Sequence, residues 1–121
     1  MVTFHRPADT KILQAPIAIT ANNETNEIVA ASTLNIIRVV SLFFICDGVV
    51  DIRFEDGSGG NSTIMGVMSF GPNGGIVLPE NLNGWFETIT VNTTLNMEVT
   101  NGTNPVISGT LKYQLIDPNI T

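Results

Sequence analysis

Apolar and polar residues alternate along this chain in short runs, broken at intervals by Gly, Asn, Asp or Pro. Thr94–Thr100 shows the pattern most clearly: Leu95, Met97 and Val99 point one way, and Asn96, Glu98 and Thr100 the other. Val106–Ile116 repeats it, with Ile107, Gly109, Leu111, Tyr113 and Leu115 on one face and Ser108, Thr110, Lys112 and Gln114 on the other. A period of two marks a strand with one buried face, because successive side chains leave a strand on opposite sides. Thr10–Thr20 is apolar with Pro16 inside; proline cannot donate to a ladder, so an edge strand or two short strands are predicted there. Asn22–Asn26 reads as a turn, Glu27–Ala31 as a short strand, and Thr63–Phe70 and Asn73–Leu78 as further strands.

Leu34–Cys46 and Val49–Asp56 flank the pair Asp47-Gly48. Asp-Gly is favoured in type I′ turns, which need positive φ at both central residues, so a hairpin is predicted. Its register sets Cys46 opposite Val49, Phe43 opposite Ile52 and Ser41 opposite Phe54. The core face is then Ile45, Phe43 and Ser41 with Val50, Ile52 and Phe54, and the other face joins Asp51, Arg53 and Glu55 to Val40, Leu42 and Phe44. The polar side chains argue against burial in the domain's own core, and the large apolar ones against free solvation. Either a loop or arm of the same chain covers Val40, Leu42 and Phe44, or another subunit does.

Gly74–Thr88, GGIVLPENLNGWFET, reads as a short buried strand, a Pro79 exit, an Asn/Gly bend and an aromatic return through Trp85 and Phe86. Trp85 is either a platform for a sugar or a packing residue; its apolar neighbour favours packing in the core or at an interface. Val40, Leu42, Phe44, Trp85 and Phe86 are therefore the candidate contacts with another subunit or a partner surface. About eight short strands separated by turn residues predict an all-β fold, a single antiparallel β-sandwich. A jelly roll is preferred and an immunoglobulin-like sandwich is the alternative, although the Cys…Trp…Cys pattern of true immunoglobulin domains is missing. Residues 1–25 are expected to form an N-terminal arm and edge strand, and residues 26–121 the sandwich.

Composition narrows the function. The 121 residues suit one domain, and only 13% are charged where about a quarter is usual, which suggests surface given over to a partner. The net charge is −6, and the five bases Arg6, Lys11, Arg38, Arg53 and Lys112 are scattered, so no nucleic-acid footprint is present. Cys46 stands alone and is expected to behave as a small buried hydrophobe. The N-terminus has no apolar signal region, and the longest apolar run, Val39–Cys46, falls far short of the ~20 residues of a membrane helix, so a soluble protein without a membrane partner is expected. Asn-X-Ser/Thr sequons begin at Asn23, Asn61, Asn92, Asn101 and Asn119 and read as turn chemistry.

Catalysis finds little support. His5 is the only histidine and lies in the arm, which argues against Ser/His/Asp and Cys/His sites and leaves zinc without ligands. Glu55–Ser62 is glycine-rich but lacks the Gly-Lys-Ser/Thr of a phosphate loop and the spacing of a calcium loop. Asp47, Asp51, Glu55 and Asp56 lie on or near one ribbon, where Asp47 is explained by the turn, Asp51 and Glu55 by the polar face, and Arg53 between them supplies neutralisation. A non-enzymatic protein without cofactor or metal is expected.

Between Asn26 and Ile116 the chain resembles a family of small β-rich proteins encoded among the head genes of tailed bacteriophages. The likeness runs through NEIVAA (26–31), IIRVVSLFFICDGVVDIRFEDGSG (36–59), NGGIVLPENLNGWFET (73–88), TLNMEVT (94–100) and ISGTLKYQLI (107–116). Its most specific part is the Gly-Gly, apolar pair and proline followed by GWFET; the family's short Gly-Glu turn after WFET is here ITVNT. The resemblance implies a virion structural protein made in the host cytoplasm. It would be a decoration or cement protein on the outer surface of the capsid, a homotrimer bound to the major capsid protein. The alternative is a receptor- or carbohydrate-binding β-sandwich of a tail or fibre.

Overall fold

A computed structural model describes residues 11–57 and 62–119. Among these residues ten strands form two sheets, and every strand pair is antiparallel. The first sheet, A, contains β1 (Leu13–Ile19), β10 (Ile107–Ile116), β3 (Ile36–Cys46) and β7 (Gly75–Leu78) in that order, with β8 (Phe86–Glu87) also on β3. The second, B, contains β2 (Asn23–Val29), β9 (Leu95–Thr100), β4 (Val50–Asp56) and β5 (Ser62–Thr63), with β6 (Met68–Phe70) also on β4. The pairing is nested: β1 with β10, β2 with β9, β3 with β7 and β8, β4 with β5 and β6. The all-β sandwich expected from the alternation is the fold.

Alternation built the core where only one face is buried. Leu95, Met97 and Val99 of β9 and Val50, Ile52 and Phe54 of β4 meet Ile107 and Leu111 of β10 and Ala15, Ile17 and Ile19 of β1 between the sheets. Pro16 sits on the edge strand, where its missing N–H is harmless. Because β1 pairs with β10 over its whole length and β2 starts at Asn23, residues 13–25 belong to the sandwich, and a boundary at residue 26 falls inside β2. The arm proper, residues 1–10, lies outside the described residues. The single strand expected over Thr63–Phe70 is two short pieces, β5 and β6, both on β4.

The hairpin at Asp47-Gly48 does not form. Neither residue takes positive φ, and β3 and β4 lie in different sheets. At its end β3 is already engaged on both sides: Cys46 stands opposite Ile107 of β10 on one edge, and on the other its N–H donates to Gly74 O at 2.7 Å and its carbonyl accepts from Asn73 N at 2.8 Å. Asp47 is then held by the approach to β10, donating its N–H to Val106 O (3.1 Å) and accepting the Val106 N–H on its carboxylate (2.9 Å). With both edges of β3 taken, the chain has to cross to the other sheet. The side-chain alternation of β3 is reversed with it: Leu42, Phe44 and Cys46 face inward, and Phe43 and Ile45 outward. A bulge between Val39 and Ser41, opposite Lys112 and Tyr113, then shifts the inward set to Ile37 and Val39.

A buried carboxylate ties the sheets together. Asp56, at the end of β4, accepts hydrogen bonds from the N–H of Ile89, the N–H of Thr90 (2.7 Å) and the Thr90 hydroxyl (3.2 Å), so it caps the segment that follows β8. Thr88 extends the pairing with β3, its N–H and hydroxyl bonding Ile37 O (2.9 Å) and Ile37 N (2.8 Å). Asp56→Ala removes the acceptor and leaves those donors unpaired; a loss of about 1–3 kcal/mol is expected in urea unfolding, with Asp56→Asn losing less because one acceptor oxygen remains.

Candidate functional site

The two outer faces of the sandwich differ in chemistry. On sheet B, Arg53 of β4 pairs with Glu98 of β9 (3.1 Å) and with the buried Glu55 (3.2 Å), and Glu27 stands two strands away, opposite Asn96. Asp51 accepts hydrogen bonds from Asn101 Nδ2 and Ser69 Oγ, each at 2.7 Å. These bonds, Asn101 first, hold the Asp51 carboxyl below its ordinary range. A depressed carboxyl stabilises the fold above its unfolded-state pKa and loses that contribution as pH falls through the folded value; at this exposed site the energy is small. Asn101→Ala is expected to move the Asp51 titration back up, as a carboxyl NMR titration reads directly.

Sheet A presents the opposite character. Cross-strand register lines up Pro16, Thr110, Phe43 and Val77 in one row, and Ala18, Ser108, Ile45 and Gly75 in the next. Phe43 is 49% exposed, Ile45 48% and Val77 76%. No charged residue occurs in either row. Toward the β8 end charge returns in pairs, Lys112 with Glu80 (3.9 Å) and Arg38 with Glu87 (2.5 Å), and beyond Ile45 at the other end the exposed Asp47 accepts the Val106 N–H. A partly aromatic sheet face with two uncharged rows, on a protein of net charge −6, is a surface suited to contact rather than solvent.

This corrects the contact residues expected from the sequence. Val40, Leu42 and Phe44 are buried. Leu42 and Phe44 pack in the core, where Phe44 meets the edge of Phe70 at a centroid distance of 5.4 Å. Val40 lies at the bulge, its carbonyl accepting the Asn81 N–H at 2.8 Å. Phe86 faces inward and packs on Phe54, ring centroids 5.0 Å apart. Of the five, Trp85 is the one that is well exposed, at 42%, and Phe86 is half-buried. The outward residues Phe43, Ile45 and Val77 take their place. The signal that could have found them was the apolar content of both faces of β3, which marks a central strand with an exceptional outer face.

Trp85 is built into a rigid loop. After β7 the chain leaves β3 at Pro79, crosses the bulge and rejoins at β8. The Trp85 N–H bonds Val39 O (2.8 Å), its indole N–H bonds Pro79 O (2.8 Å), and Gly84 N bonds Asn81 O (2.8 Å). Gly84 has φ +84°, and a Cβ there would lie 2.6 Å from Arg38 Cγ, so glycine serves both the turn and the close packing. Trp85 borders an open depression of about 660 Å³ that also contains Asn83, Glu87, Ile89 and Val91. Cys46 is buried, as expected, and burial followed by the neighbouring Asp47 charge raises its thiol pKa. Among the described residues, no group of three or more metal-ligating side chains converges.

No protein-family model matches this chain, and no curated protein is significantly similar to it.

Proposed function

We propose that this chain is a virion structural protein that decorates the outer surface of a capsid, docking through the outer face of sheet A. The observation that carries the reading is the uncharged face around Phe43, Ile45 and Val77, set against the charged face of sheet B. A module with one apolar face and one polar face can bind a shell and present the other side to solvent. The resemblance of residues 26–116 to phage head-module proteins supplies the setting: a homotrimer on the major capsid protein, in which weak contacts gain strength through simultaneous engagement.

We also read the sandwich as a jelly roll. Nested pairing, with each early strand bonded to a late one and successive early strands in alternate sheets, supports that topology. An immunoglobulin-like sandwich keeps its first two strands in one sheet. Cryo-electron microscopy of particles bearing the tagged protein tests the assignment: density on the outer capsid surface is expected, and density confined to the tail would overturn it. Half-exposed Trp85 beside its open depression favours one second reading, a carbohydrate-binding module of a tail or fibre. A glycan array comparing wild type with Trp85→Ala decides that case.

A further inference from the structure

A second feature, independent of the capsid reading, lies at the open side of the sandwich. Sheet A ends there in β7 and β8 and sheet B in β5 and β6, and among the described residues no strand pair closes the gap between them. Inside the gap is a cavity of about 230 Å³. Leu42 and Phe54, one from each sheet and both fully buried, line its depth, while Ile76 and Leu78 of β7 and Met65 and Met68 of the β5–β6 region line its sides. Phe86 and Trp85 complete the wall, and Trp85 is the most exposed residue of the lining.

We propose that this cavity is a binding site for a small uncharged apolar molecule about the size of one substituted aromatic ring. Among the described residues the lining contains no charged side chain, and its strong donor, the indole N–H, is already bonded to Pro79 O. A polar ligand would lose its hydration there without replacement. A dry apolar cavity of about 150 Å³ is large enough for benzene, so the present one accommodates a ring carrying a short alkyl group. The wall is adaptable on one side and fixed on the other. Met65 and Met68 are unbranched and polarizable and fit themselves to varied apolar shapes, whereas Trp85 is pinned by its two hydrogen bonds.

Trp85 is also the chain's only tryptophan, so occupancy is read from intrinsic fluorescence without a label. Titration of the full chain with toluene is expected to give a saturable change in Trp85 emission. At about ten times Kd the melting temperature should rise by about 4 °C or more. Ile76→Phe, which fills the cavity, should abolish both effects. Should that variant not give a cooperative thermal transition, Met65→Phe takes its place, and xenon-pressurised crystals of the wild type provide a readout that needs no variant, with density expected between Met68 and Phe54. A linear, unsaturable response to toluene, an equal response in the filled variant, or a cavity without xenon would each overturn the proposal.

Discussion

Gly109→Ala is expected to lower the melting temperature by about 10 °C or more, corresponding to about 3 kcal/mol of lost stability. Gly109 stands on the inner face of β10 between Ile17 of β1 and Phe44 of β3. A Cβ at this position would lie 1.9 Å from Phe43 O and 2.6 Å from Phe44 Cα. Both are backbone atoms of the central strand, so no side-chain rotation relieves the contact, and β10 must move away from β3. Gly75 meets the same strand from the other side, its Cβ 2.0 Å from Phe44 O. The two glycines therefore clamp Phe43–Ile45 between β10 and β7, and the outward aim of Phe43 and Ile45 depends on both. Because the two sites press on one strand segment from opposite sides, the double variant Gly75→Ala/Gly109→Ala should cost at least as much as the two single losses together, since β3 cannot yield to one contact without tightening the other. Thermal unfolding followed by circular dichroism checks each value; a single-variant change of only a degree or two would mean that the strands are not closely clamped.

Much of the sandwich could be read from the chain, and the part that could not has a specific physical cause. Strands β9, β10 and β4 have one core face and one polar face, so their period of two settled both their existence and their orientation. β1 was legible as an edge strand because Pro16 restricts it to that place. β3 is apolar on both faces along most of its length, and an alternation without contrast carries no orientation. Orientation then had to be borrowed from its neighbour through the Asp47-Gly48 turn, and local turn preference lost to pairing of β3 with β10 and β7 on its two sides. The bulge at Val40 adds a second change of sense that no residue type announces. The mismatch between an apolar β3 and a half-polar β4 was nevertheless visible, and its physical meaning is that the strands belong to different sheets. Trp85 was rightly placed at a bend before an aromatic return, yet its exposure depended on the loop over the bulge, a feature of tertiary pairing. The uncharged outer face arises likewise from four strands distant in sequence.

Adjacent substitutions in β3 should have opposite consequences, and the contrast separates the fold from the docking surface. Leu42→Lys places an ammonium between the sheets against Leu111 and Leu78, its cross-strand partners. Lost packing and an unpaired buried charge together should remove about 4 kcal/mol or more, much of a domain's stability. Phe43→Lys, one residue on, puts the same side chain into solvent beside Thr110 and Val77. Stability there should stay within about 1 kcal/mol of wild type, since no core contact is lost. On the proposed docking through this face, capsid occupancy should fall about thirty-fold or more, the scale on which a central aromatic anchor acts, now compounded by a charge facing an apolar contact. Denaturant unfolding and a particle-binding assay measure the two effects separately. A folded, stable Leu42→Lys protein would reverse the orientation of β3. Wild-type occupancy by Phe43→Lys would instead leave the fold intact and remove the outer face of sheet A as the docking surface, because a lysine at the centre of a true contact cannot reach water without opening it.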